Sequence, residues 1–277
     1  MNGTTQQVER LRDQIRSARE SILYAIVRMD EIRLRQIPRI QVEYALKLGG
    51  LEQELLEAEL SCRRERHRLA FAKAQVEGGL APQMDLIERE LDEELSPLEA
   101  MVAQARKDYE RALALPVGPL APSSAKLAEL RGLYQRLVRR LHPSVNGGEG
   151  NKRTTFFLLA QAAYHNGATE ALRTLEVATR HLGYENRDLD AIASVDDLAQ
   201  ELELTLIEEG VVRERLHELL DCEEMRLGRL LSNQGWVKTR TAELCRSIEE
   251  RHSSQSACAG ELKALLRNCA RKEPTGR

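Results

Sequence analysis

"LYQRLVRRLHPSVNGGEGNKRTTFFLLAQAAYHNG", residues 133–167, decides how this chain reads. It opens as an amphipathic helix. Tyr134, Leu137, Val138 and Leu141 fall at i, i+3, i+4 and i+7, which is one face. Arg131, Arg136, Arg139 and Arg140 occupy much of the remaining surface. Pro143 ends the helix, because the residue before a proline is pushed out of the helical region. "NGGEGN", residues 146–151, tolerates positive φ and permits a tight reversal. Phe157, Ala160, Ala163 and Tyr164 form the facing stripe of a returning helix, and Asn166-Gly167 stops it. The expectation is a helical hairpin, apolar inside and arginine-rich outside, with His142 and Pro143 at its tip.

Outward from this hairpin the chain reads as long helices. Val8, Leu11, Ile15, Ala18, Ile22, Ala25, Met29 and Ile32 alternate steps of three and four, a stripe that can pack along a partner helix. Pro38 is expected to end or kink this helix. A second stripe runs through Tyr44, Leu48, Leu51, Leu55, Ala58, Cys62, Leu69, Ala72 and Val76, with Glu65 as its one charged member. It passes Gly49-Gly50 without losing phase, so one continuous helix with a soft point is expected there, with a loop as the rival reading. "EGGLAPQ", residues 77–83, is a turn, and a third stripe from Leu91 to Ala112 returns antiparallel to the second. Pro97 predicts a kink or break inside it. This hairpin reads as a spacer, a dimerisation arm or a local prop.

"LPVGPLAPSS", residues 115–124, is the best linker in the chain. After the central hairpin, "NGATEALRTLEVATRHLGY" continues as helix, and a further helical zone starts near Leu189. "SNQG", residues 232–235, reads as a turn before a last helix that is weak across "RHSSQSACAG". Trp236 after that turn reads as a core anchor. No stretch alternates with period two for long, so the fold class is all-α: a long heptad-patterned hairpin or coiled coil, a small central helical domain and C-terminal helices. The expected divisions are 1–115, a linker 116–124, a central domain 125–185 and a C-terminal region 189–272.

Composition narrows function more than it names it. The chain has 277 residues, of which 42% are hydrophobic, 31% charged and only 4% aromatic, a mix that suits thin helical seams. A net charge of −3 gives no whole-protein field toward nucleic acid or an anionic membrane, so nucleic-acid binding is not expected. No run approaches the roughly 20 apolar residues of a membrane helix, and the first residues lack a signal-peptide core, so a cytoplasmic location is expected. Cys62, Cys222, Cys245, Cys258 and Cys269 show neither CxxC pairs nor zinc spacing; no disulfide framework, metal or other cofactor is expected. "CRRERHR", residues 62–68, is basic but has no interleaved aromatics and reads as a solvated helix face. No nucleophile–base arrangement stands out, so the chain is read as no enzyme.

The central stretch resembles the J-domain, the DnaJ-type co-chaperone module. "LYQRLVRRLHPSVN" looks like its second helix and His-Pro-Asp loop; "FFLLAQAAYHNG" looks like its third helix, with Phe157 and Tyr164 at the family's spacing. The layout also resembles uncharacterised bacterial proteins in which a long helical region precedes a J-like segment, and "EYALKLGGLEQEL", residues 43–55, fits their usual run. The resemblance implies docking on a DnaK-type chaperone through His142, Pro143 and a basic face of Arg136, Arg139 and Arg140. Ser144 stands where the family has aspartate, and a serine cannot supply the carboxylate for a charge-assisted contact. A non-catalytic adaptor that binds such a chaperone without normal ATPase stimulation is therefore expected. The alternative is a structural or assembly scaffold that uses its helical stripes for other proteins or for self-association. His142 at a helix end can equally bond the last carbonyls and complement the helix dipole.

Overall fold

The computed structural model describes residues 2–115, 124–142, 151–182, 189, 192 and 194–272. The chain is all-α, with no strand among the described residues. In order come α1 (Asn2–Glu31), a π-helical segment (Ile32–Gln36), α2 (Ile37–Tyr44), a second π segment (Ala45–Gly49), α3 (Gly50–Glu77), α4 (Met84–Leu113), α5 (Ser124–Leu141), α6 (Asn151–His165) and α7 (Thr169–Ala178). A short 3-10 turn (Arg180–Leu182), α8 (Val195–Leu220), α9 (Glu223–Leu231) and α10 (Gln234–Lys272) complete it. No helix is long and apolar enough to cross a membrane.

Two compact units are each assembled from distant segments: residues 1–41 with 116–228, and residues 42–115 with 229–277. The division differs from the consecutive one expected at the proline-rich linker. Its physical reason is that α1 and α8 bury their stripes on each other, and α3 and α10 do likewise.

In the first unit α1 and α8 run parallel. Ile15 packs with Leu189 and Leu198, while Val8, Leu11 and Leu202 border the same cluster. Arg12 donates to the Ile192 carbonyl at 3.0 Å, and Arg19 pairs with Glu201 at 2.9 Å. The expected stripe is the buried one: Ile15, Ala18, Ile22, Ala25, Met29 and Ile32 all lie inside. Leu23 and Ile26 are buried too, because α1 has a second face against α5 and α6.

Pro38 does not end the helix. The backbone shifts into π geometry just before it, with the Ile37 N–H donating to the Ile32 carbonyl. A proline at 38 offers no N–H to the carbonyl four residues earlier, that of Leu34. His165 Nδ1 takes up that carbonyl at 2.5 Å, which fixes the proton on Nδ1 because a carbonyl only accepts. Arg35, inside the same π segment, donates to the Tyr164 carbonyl at 3.0 Å and lies over the Tyr164 ring. The end of α6 is thus seated on the bulge that Pro38 imposes.

In the second unit α3 and α4 are antiparallel around Gly78–Gly79, as the turn sequence implies, and α10 runs parallel to α3. Leu69, Ala72, Ile87, Leu91, Leu95 and Leu262 form the core. Lys73 pairs with Glu261 at 2.9 Å, and Arg66 donates to Ser254 at 3.0 Å. Helix α4 continues through Pro97 without a break, and α10 continues through residues 251–260, where weakness was expected. Long lateral contacts hold these helices where local propensity is poor. The helix also runs on through Gly49-Gly50. A Cβ on Gly49 would lie 3.0 Å from Cδ2 of Tyr109, so the glycine admits the α4 aromatic.

Candidate partner-binding site

The central helix pair forms as the stripes imply. Leu133, Tyr134, Leu137, Val138 and Leu141 of α5 share one buried cluster with Phe157, Ala160, Ala163 and Tyr164 of α6. The Tyr134 and Tyr164 rings stack with centroids 4.1 Å apart. Helix α6 ends at Gly167, whose φ of 66° lies in the left-handed region. The Gly167 N–H reaches the Tyr164 carbonyl and the Ala168 N–H reaches that of Ala163, the paired bonds of a Schellman stop.

This core is not closed by the pair alone. Ile22, Leu23, Ile26 and Met29 of α1 and Leu172 of α7 belong to the same cluster, and Val212, Leu216 and Leu219 of α8 border it. A polar seam joins α1 to the pair. Tyr134 Oη donates to Asp30 at 2.6 Å, and Gln161 reaches the same carboxylate at 3.4 Å. Burial, and then the Asp30 charge, push the Tyr134 hydroxyl far above the usual phenol range. Tyr164 is pushed up to about 12, first by burial and then by Glu31, against Arg35 and Arg131. Its hydroxyl is buried and no partner meets it with good hydrogen-bond geometry; Arg131 lies near enough to oppose the upward shift by its charge and as a donor.

The arginines expected to form an open basic face are all engaged inside the unit. Arg131 bonds Glu31, whose side chain is nearly buried. Arg136 pairs with Glu176 of α7 at 2.5 Å, which raises the guanidinium and holds the Glu176 carboxyl below the usual range. Arg139 pairs with Glu20 of α1 at 2.5 Å. Arg140 donates to the Glu176 carbonyl at 3.0 Å and to Thr179 Oγ1 at 3.1 Å.

His142 sits at the end of α5, half-buried, edge-on to Phe157 with centroids 4.9 Å apart. Its backbone N–H donates to the Val138 carbonyl. Burial holds its pKa below the ordinary histidine value, with Asp30 as the smaller, opposing influence. Pro143 and Ser144 lie outside the described residues. Of the expected site residues, the structure therefore gathers Arg136, Arg139 and Arg140 on α5, with His142 just past its end. The acids that meet the cluster, Glu20, Asp30, Glu31 and Glu176, carry no motif in the sequence.

The basic run on α3 has a similar fate in its own unit. Arg64 meets Glu88, Asp92 and Glu99, and Arg68 meets Glu88 and Glu65. Arg64 and Arg68 tie α3 to α4, while Arg63 and Arg66 of the same run are exposed. A cleft of about 440 Å³ beside the start of α7 is bordered by Arg35, Lys126 and Arg173, and Arg173 is held there by Glu129 and Glu170. The five cysteines are free thiols, with Cys62 buried. Among the described residues no three metal-ligating side chains converge.

The fold and site together define an all-α protein with a pairwise helical core and an internally charge-neutralised central hairpin. No protein-family model, curated protein or solved structure matches the chain.

Proposed function

We propose that this chain is a non-catalytic, cytoplasmic helical adaptor, J-like in its central hairpin, that binds other proteins through helices rather than through that hairpin. The observation that carries the reading is the pairing of Arg131, Arg136 and Arg139 with Glu31, Glu176 and Glu20. A docking face must shed such pairs before it can meet an acidic partner, and each lost pair subtracts from the affinity gained. Phe157 also packs against His142, which leaves the imidazole half-buried. In this role the hairpin serves as the keystone of its unit.

A second reading keeps chaperone docking without stimulation. It is favoured by the remaining exposure of the Arg136 and Arg139 side chains, 55% and 38%. Steady-state ATPase of a DnaK-type chaperone, with binding to the immobilised chaperone measured alongside, separates the two. The adaptor reading expects no stimulation and no binding, with the natural chain or with Ser144→Asp. Binding lost on Arg139→Ala establishes the second reading, and stimulation overturns both.

A further inference from the structure

We infer that the outward face of α8 is a docking surface for a basic amphipathic helix of a partner protein. The inference rests on the adaptor reading and names the partner's chemistry. Helix α8 buries one face on α1 and the central core, through Leu198, Thr205, Val212, Leu216 and Leu219. The opposite face is also apolar. Leu204, Ile207 and Val211 follow at i, i+3 and i+7 and are 57%, 60% and 44% exposed. An apolar stripe on both sides of one helix is the pattern of a helix covered on both sides.

The charges around this stripe specify what covers it. Glu203, Glu208, Glu214 and Glu218 flank it, all exposed, against Arg215 as the cation on the same face. Arg213 is turned away, to Glu209 and Ser21. The face therefore carries four carboxylates to one guanidinium over residues 203–218, roughly 24 Å of helix at 1.5 Å per residue. Two such faces brought together in a second copy would set like charges against like. Lipid or nucleic-acid phosphates would be repelled in the same way. A helix with an apolar stripe between lysines or arginines answers both features, the helix-on-helix mode of peptide recognition. Gly210 lies beside the stripe, and a Cβ there would meet nothing within 4 Å. Among the described residues no packing calls for a glycine at this place, and it leaves room for the backbone of an incoming helix to come close.

The probe is a fluorescently labelled synthetic 18-residue helix with leucines at i, i+3, i+4 and i+7 between lysines. Its binding to the full chain is read by anisotropy against a scrambled peptide and a glutamate-for-lysine version. The lysine helix should bind at least tenfold tighter than either control, with affinity falling as salt rises. The triple variant Leu204→Ser, Ile207→Ser, Val211→Ser should lose that advantage while keeping its helical circular dichroism and a cooperative melt, because none of the three side chains belongs to the buried core. Gly210→Ala should melt higher and bind more weakly. Equal binding of the lysine and scrambled peptides overturns the inference, as does undiminished binding by the triple variant. A dimer of the natural chain that the triple variant dissociates also overturns it, and assigns the face to a second copy. None of these outcomes bears on the chaperone ATPase measurement, so the two readings fail separately.

Discussion

Tyr134 and Tyr164 are stacked, both fully buried, and differ in one atom's surroundings. The Tyr134 hydroxyl bonds a carboxylate, whereas the Tyr164 hydroxyl bonds nothing among the described residues. Hydrogen bonds to charged groups contribute about 1.5–3 kcal/mol, and an unpaired buried hydroxyl is a liability. Tyr134→Phe should therefore lower unfolding free energy by about 1.5–3 kcal/mol in denaturant titration, while Tyr164→Phe should be neutral or stabilising. His142 makes a pH-dependent contribution. Burial holds the folded imidazole neutral below the ordinary value of 6.5, where the unfolded chain already takes up a proton. The unfolded state then binds more protons, so stability falls as pH drops from 6.5 toward the depressed folded value, and is fully present above 6.5. His142→Gln should flatten the melting temperature across that window; a slope unchanged from the natural chain would assign the effect elsewhere.

At the scale of elements, the ends and soft points of helices carry the local information. Gly167 closes α6 in a conformation that costs an L-residue about 1–2 kcal/mol, so Gly167→Ala should destabilise by about that amount in thermal unfolding. Gly49 has a different reason. Alanine favours a helix interior by about 1 kcal/mol over glycine, but here its methyl meets the Tyr109 ring. Gly49→Ala alone should gain nothing, and in a Tyr109→Ala background it should gain about 1 kcal/mol, a non-additivity that an unfolding cycle measures. Much of this was legible. The stripe from Val8 to Ile32, the turn at residues 77–83, the two faces of the central hairpin and the Asn166-Gly167 stop all follow from spacing and turn chemistry. Pro38 and Pro97 were legible as residues but not in effect. A proline withholds one donor, and whether a helix ends there depends on what takes the orphaned carbonyl, which for Leu34 is His165 from 131 residues away. Residues 251–260 look weak alone and are held by α3, a support that no local window contains.

Each unit is built on one plan, a helix from the first part of the chain lying parallel to a helix from the last part. A stripe shows which face of a helix is apolar and leaves open which other stripe covers it. The pairing of α1 with α8 was for that reason invisible in the sequence, as were Leu23 and Ile26 as a second buried face. The candidate site suffered most from this. His142 and the arginines of α5 were readable from the hairpin, but the carboxylates that neutralise them sit on α1 and α7 at separations of 40 to 119 residues. The same packing ties the hairpin to its surroundings, since α1 contributes Ile22, Leu23, Ile26 and Met29 to its core cluster and α8 borders that cluster through Val212, Leu216 and Leu219. The most direct measurement is the folding of the excised segment 125–185, followed by near-ultraviolet circular dichroism and amide dispersion. The account predicts a fragment without a cooperative melt, ordered only when α1 and α8 are present; a fragment that melts cooperatively on its own would contradict it.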